Sequence, residues 1–205
     1  MPSTRNSPNM GFTLIELLVV IAIIGSLAAM VLVSLRSARE AAVVVQAGAI
    51  QREMTVAVEL YFDQMGFYPP DVNRGWDPGL VRTLPWNADE EAGEPPTGAY
   101  ASPGTDCSHC PSDWETIVQE RWNGPYIPAW PRFTPWRGKY DYNYWGSEAT
   151  RPGGCVVPPG IYIGVQGDYA GANNIPSSAE AEMVGKGFDY DGCINGEAQL
   201  LLWRL

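Results

Sequence analysis

Gly11-Phe12-Thr13-Leu14-Ile15-Glu16-Leu17-Leu18-Val19-Val20-Ile21-Ala22-Ile23-Ile24-Gly25 opens an apolar run that continues with little change to Leu35. From Phe12 to Leu35 the only ionisable side chain is Glu16. As a helix this run is about 36 Å long, enough to cross a hydrocarbon layer of about 30 Å. The alternative is a secretory signal peptide, with a shorter apolar region and a small-x-small cut site for which Ala22 and Ala28-Ala29 are available. Glu16 argues against that reading. A carboxylate inside an apolar span is costly, and marks a function with a partner to be found.

Beyond Leu35 the pattern turns amphipathic. Val43, Ala47, Ile50, Met54, Val58 and Tyr61 recur at steps of three and four, one stripe of a helix. Gly66, Pro69 and Pro70 end it. One helix from Phe12 to about Asp63 is roughly 80 Å long. The organisation expected is therefore a short segment at 1–11, a membrane-spanning helix at 12–35, its amphipathic continuation at 36–64, and a globular head at 65–205. Within the head, Lys139–Trp145, Gly160–Val165 and Ala198–Trp203 read as strands, and 85–111 as a long surface loop rich in Pro, Gly and acids. The fold class expected is α+β: a long N-terminal helix packed on a small antiparallel sheet with long loops.

The 205 residues carry 13 Lys+Arg against 23 Asp+Glu, a formal charge of −10. Such an acidic chain lacks the basic surface that nucleic-acid binding needs. One histidine, His109, excludes mechanisms that need two, and it is expected to be exposed. No Gly-x-Ser-x-Gly elbow, phosphate-cradling glycine loop or His-Glu-x-x-His is present. The reading is a structural protein and not an enzyme.

The Gly11-Phe12-Thr13-Leu14-Ile15-Glu16 signal with its apolar continuation resembles the class III signal of type IV pilins and type II secretion pseudopilins. The resemblance implies that a prepilin peptidase cuts between Gly11 and Phe12 and methylates the new N-terminus, leaving 205 − 11 = 194 residues. It implies that 1–11 is a leader, that 12–35 is a filament-core helix, and that Glu16 has a role in filament assembly. The apolar setting supplies a physical reason, since an unpaired buried carboxylate is costly and the Phe12 amine of a neighbouring subunit is an available cation. Snorkelling of Glu16 to the membrane surface, as an acid favourable at a helix start, is the other reading. The leader has one base, Arg5, and Val33 stands where many relatives have proline.

Leu60-Tyr61-Phe62 with Gly66-Phe67-Tyr68-Pro69, and Asn123-Gly124-Pro125-Tyr126-Ile127 followed by Pro135-Trp136 and Tyr140-Asp141-Tyr142, are similar to segments of major pseudopilins. Arg137 here separates Trp136 from Gly138. The resemblance implies a type IV pilin-like fold, and a subunit of a type II secretion pseudopilus or a type IV pilus. Its partners are then like subunits, the peptidase and an inner-membrane assembly platform. Its location is the cytoplasmic membrane, with the head outside in a periplasmic pseudopilus or an extracellular pilus. A membrane-anchored binding protein with a Trp-rich acidic head is the alternative.

Cys107, Cys110, Cys155 and Cys193 all lie in the head. An exported head meets oxidising conditions, so an even count favours two disulfides; of three connectivities, Cys107–Cys110 with Cys155–Cys193 is the simplest. A zinc site in which Cys155 and Cys193 complete Cys107-x-x-Cys110 is the rival, and free or redox thiols are the third reading. Asp168, Asp189, Asp191, Asn195 and Glu197 cluster around glycines and offer the hard oxygens that Ca²⁺ takes. Calcium in a C-terminal loop is also what the pseudopilin resemblance implies. A solvated acidic turn is the plainer reading.

Overall fold

The computed structural model describes residues 13–91, 105 and 107–205. The leader and both residues of the expected cut, Gly11 and Phe12, lie outside the described residues, as does most of the expected 85–111 loop. The chain divides into two compact units, one ending at Glu40 and the other spanning Ala41–Leu205. Helix α1, Leu14–Met65, contributes to both.

In the first unit every described residue, Thr13 to Glu40, is exposed. An apolar surface of this extent has no place in water. The helix is regular because Leu, Ala and Met are good helix formers, and the β-branched Ile and Val among them cost little. Ser26 and Ser37 direct their hydroxyls onto Ile23 O and Ser34 O, back into the helix.

In the second unit α1 buries Val44, Ala47, Gly48, Gln51, Met54, Ala57, Val58, Tyr61 and Met65. The expected stripe is thus shifted: Val43 and Ile50 are only half-buried, while Gly48 and Gln51 lie at the centre. The physical reason is close approach. A Cβ on Gly48 would overlap the Phe188 ring, and the Gln51 side-chain amide donates to Ile163 O at 2.9 Å. Gly66, with φ +81°, accepts the backbone reversal after the helix.

The head's main sheet has the order β3-β6-β7, all antiparallel: β3 Lys139–Trp145, β6 Gly160–Gln166, β7 Ala198–Arg204. All three strands match the sequence expectation. Strand alternation sets Tyr140, Tyr142, Ile161, Ile163, Val165 and Ala198 apart from Lys139, Asp141, Asn143, Gln166 and Gln199. The apolar set joins Val44, Met54, Val58 and Tyr61 of α1 in the core. The polar set is buried too. Two short hairpins complete the strands, β1 Trp76–Asp77 with β2 Trp86–Asn87, and β4 Ala149–Arg151 with β5 Cys155–Val157. Helices α2 (Ala88–Glu91), α3 (Trp114–Arg121) and α4 (Ser177–Gly185) are brief. Together they make an α+β fold of long helix and small antiparallel sheets, consistent with a pilin-like architecture.

The surface-loop expectation for 85–111 fails at its start. Asn87, Ala88 and Asp89 are buried, and the Asp89 carboxylate accepts from Lys139 Nζ, Arg132 Nε and the Tyr169 hydroxyl. Asp77, fully buried, accepts from Leu80, Val81 and Arg82 N–H and from Trp86 Nε1. Each charge is buried only because hydrogen-bond partners surround it.

Candidate functional site

At the start of α1, Thr13 and Glu16 close on each other. The Thr13 N–H and hydroxyl donate to Glu16 Oε2 at 2.8 and 2.7 Å, and the Glu16 N–H donates to Thr13 Oγ1 at 3.3 Å. This is a capping box, two orphan donors satisfied reciprocally. Its Thr-x-x-Glu signature stands in the sequence, and the Thr13 half of it was not anticipated. The box lies wholly on the retained side of a Gly11/Phe12 cut. Both carboxylate bonds use Oε2, so Oε1 lies outside the cap. The helix that follows is long and apolar enough to cross a membrane.

The four cysteines pair as Cys107–Cys110 and Cys155–Cys193. The second bridge ties β5 to the loop before β7. This pairing overturns the zinc alternative that drew on Cys155 and Cys193. His109 is half-buried rather than exposed. Its ring stacks on Tyr144 at 3.5 Å, and its Nε2 lies 3.1 and 3.0 Å from the carbonyl oxygens of Tyr68 and Pro69.

The five calcium candidates are not one cluster. Asp168 is taken up by its own turn, accepting from Ala170 and Ala172 N–H, both at 2.9 Å, and from Asn173 Nδ2 at 2.6 Å. These donors hold its carboxyl below the usual range although desolvation opposes them. Glu197 is paired with Arg151 and, at 3.8 Å, with Arg74. Asn195 Oδ1 accepts from Glu197 N–H at 3.0 Å. Asp189 and Asp191 each spend one oxygen on backbone, on Gln199 N–H at 3.0 Å and Cys193 N–H at 2.8 Å. The other oxygen of each is buried without a hydrogen-bond partner. Burial pushes Asp189 up to about 7, helped by the Asp191 and Glu180 charges, and pushes Asp191 up as well. The residue the sequence reading missed is Glu180 of α4. Its buried carboxylate accepts from Asn195, Gly196 and Glu197 N–H at 2.8 to 3.2 Å and so shapes the acidic loop from within. Nothing local in the sequence signals this, since 15 residues separate Glu180 from Asn195.

The comparisons with known proteins bear on the first site. The family described as the prokaryotic N-terminal methylation motif matches residues 11–32. This is the type IV pilin-like signal processed by a prepilin peptidase. No curated protein matches the chain. No solved structure matches it either.

Proposed function

We propose that this chain is a structural subunit of a type II secretion pseudopilus or a type IV pilus, anchored in the cytoplasmic membrane and polymerised through its N-terminal helix. One coincidence carries the reading: the methylation motif at 11–32 falls on the half of α1 in which every described residue is exposed. Burying a Leu or Ile side chain is worth about 1.5–3 kcal/mol. Such a surface needs lipid before assembly and like helices after it. Glu16, capped by Thr13 through one oxygen, offers the other to the amine of Phe12 on a neighbouring subunit once the leader is removed. Such a pair fixes axial register between subunits. The partners are then like subunits, the peptidase and an inner-membrane platform, and the role is structural rather than catalytic.

Two measurements test this. Mass spectrometry of the membrane-extracted protein should find a chain beginning at N-methylated Phe12. Finding only chains that begin at Met1 sinks the reading. Glu16→Leu should insert and be cleaved normally but fail to form filaments. Normal filament number and length with Glu16→Leu removes the intersubunit pair, whereas a parent chain that is cleaved normally but never assembles favours the membrane-anchored binding protein.

A narrower calcium site is proposed on the unpartnered oxygens of Asp189 and Asp191, with Asn195 and backbone carbonyls completing the shell, and without Asp168 or Glu197. Bound Ca²⁺ would relieve the mutual repulsion of two half-desolvated carboxylates. The full chain in detergent should melt higher in millimolar calcium than in chelator. The shift should vanish in Asp189→Asn/Asp191→Asn, and no shift in the parent chain returns the loop to a solvated acidic turn.

A further inference from the structure

Cys107-Ser108-His109-Cys110 forms a four-residue turn in which Cys110 N–H donates to Cys107 O at 3.0 Å. Ligand atoms of Cys107, His109 and Cys110 lie within 4.8 Å of one another, all on half-buried residues. His109 Nε2 is 3.7 Å from Cys107 Sγ, and Cys110 Sγ is 3.9 Å from Tyr68 O. The imidazole is held flat against Tyr144, so its direction is fixed before any ligand arrives. A staple does not account for this pair. Stabilisation by loop closure grows with loop length, and the bridge spans only three residues against 38 for Cys155–Cys193.

We propose that Cys107, His109 and Cys110 are a redox-gated site for Zn²⁺ or a cation of like softness: closed as a disulfide when oxidised, a two-sulfur, one-nitrogen metal site when reduced. Two thiolates and an imidazole are the donors that Zn²⁺ prefers, at a spacing common to its turns. The fourth position falls to water or to a Tyr68 or Pro69 carbonyl oxygen, both already beside Nε2. The gate is thiol–disulfide exchange with a dithiol reductant. The Cys107–Cys110 bond breaks, the two sulfurs together take up two electrons and two protons from the dithiol, and the reductant closes its own disulfide. Zn²⁺ then displaces the two thiol protons to solvent, while the His109 proton moves from Nε2 to Nδ1 so that Nε2 presents its lone pair. Reoxidation by a disulfide reverses both steps and releases the ion. The site is independent of whether the chain forms filaments.

The test uses the full chain in detergent with Co²⁺ as the spectroscopic stand-in for Zn²⁺ and a phosphine reductant that brings no thiolate of its own. The reduced chain should take up one Co²⁺ with a thiolate-to-cobalt charge-transfer band, and the oxidised chain none. Cys107→Ser/Cys110→Ser, which keeps the Cys155–Cys193 pair, should lose the band. His109→Ala should keep both thiols but bind at least about 10-fold more weakly. In the unaltered reduced chain, Zn²⁺ should slow maleimide labelling of Cys107 and Cys110 and leave Cys155 and Cys193 unchanged, a readout that no variant's folding can spoil. A missing band, a band surviving in the double serine variant, unchanged affinity in His109→Ala, or uniform labelling each overturns the proposal.

Discussion

Helix α1 is two different surfaces on one element. Between Leu14 and Leu35 side chains such as Leu14 and Val33 stand 82% and 73% exposed, whereas Val44, Ala47 and Val58 are fully buried. The halves differ in pattern: one ionisable residue, Glu16, stands between Leu14 and Leu35, whereas Arg36, Arg39, Glu40, Arg52, Glu53, Glu59 and Asp63 interrupt the rest. The first half is apolar all round, and every described residue of it is exposed. The second is apolar on one stripe and is covered by the head. An all-round apolar helix is a request for another medium, while a striped one is satisfied at home. The chain thus separates what holds the subunit together from what would hold subunits to each other.

Two glycines on that helix offer the sharpest break of the comparison and the largest effect. A Cβ on Gly25 meets nothing within 4 Å, while one on Gly48 overlaps the Phe188 ring, which Arg52 covers from 4.8 Å. Gly48→Val should lower head stability by about 3 kcal/mol through overpacking, about 10 °C in melting temperature. Gly25→Val should leave head melting unchanged. If Gly25→Val nevertheless abolishes filaments, neighbouring helices approach closely there, since small residues are what permit such contact. Equal loss of melting temperature in both variants would erase the distinction between the halves.

Acids separate the same two regions, and pH reads the difference next. Glu16 is exposed and capped, but Asp141 is buried in the sheet, with Gln166 Nε2 donating to it at 2.7 Å. Burial pushes Asp141 up to about 7, although Arg74 and Arg151 pull it down and Glu197 adds to the rise. Asp189 stands at about 7 and Asp77 at about 6, both raised by burial. In the unfolded chain such groups titrate near about 3.9. Between about 4 and 7 the folded head therefore holds more protons, so its stability falls as pH rises through that window and levels off above it. With chelator present, melting at pH 5 should exceed melting at pH 7.5 by several degrees. Asp141→Asn, nearly isosteric, should flatten the slope, and a slope of the opposite sign would show Asp141 ionised at neutrality and held by Arg74 and Arg151.

Legibility in the sequence followed this same division. The apolar run, Glu16 and the three main strands were readable because each rests on a local pattern: length without charge, a lone carboxylate inside it, and short strand-like runs such as the alternation of Tyr with polar residues in β3. What could not be read was burial by a distant partner. Gly48 and Gln51 were not in the expected stripe, yet Phe188 and Ile163 O make them central. The polar faces of β3 and β7 look solvated, but Lys139, Asp141, Asn143 and Gln199 are covered. Asp89 read as loop from its Pro-, Gly- and acid-rich surroundings, because the Lys139 that lets it be buried lies 50 residues on. Glu197 reads as a calcium ligand in the sequence, but Arg151 and Arg74 hold its carboxylate.

The smallest expected effect lies at the first turn. Thr13 supplies the hydroxyl to Glu16 Oε2 and accepts from the Glu16 N–H, while Leu17 N–H to Thr13 O, at 3.3 Å, is among the helix's first backbone bonds. Thr13→Ala removes both side-chain bonds and should cost about 1 kcal/mol of local helix stability, whereas Thr13→Ser, retaining the hydroxyl, should cost little. Every described residue of this unit is exposed, so no packing spreads the loss. Amide exchange in detergent should quicken at residues 14–17 in Thr13→Ala and nowhere in 41–205, with head melting unchanged. In Thr13→Ala the Glu16 carboxylate is also freed of its side-chain partner, so an intersubunit pair with the Phe12 amine should survive and filaments should still form. Loss of filaments in Thr13→Ala, with Thr13→Ser normal, would mean that the cap itself, and not the carboxylate alone, presents Glu16 to its neighbour.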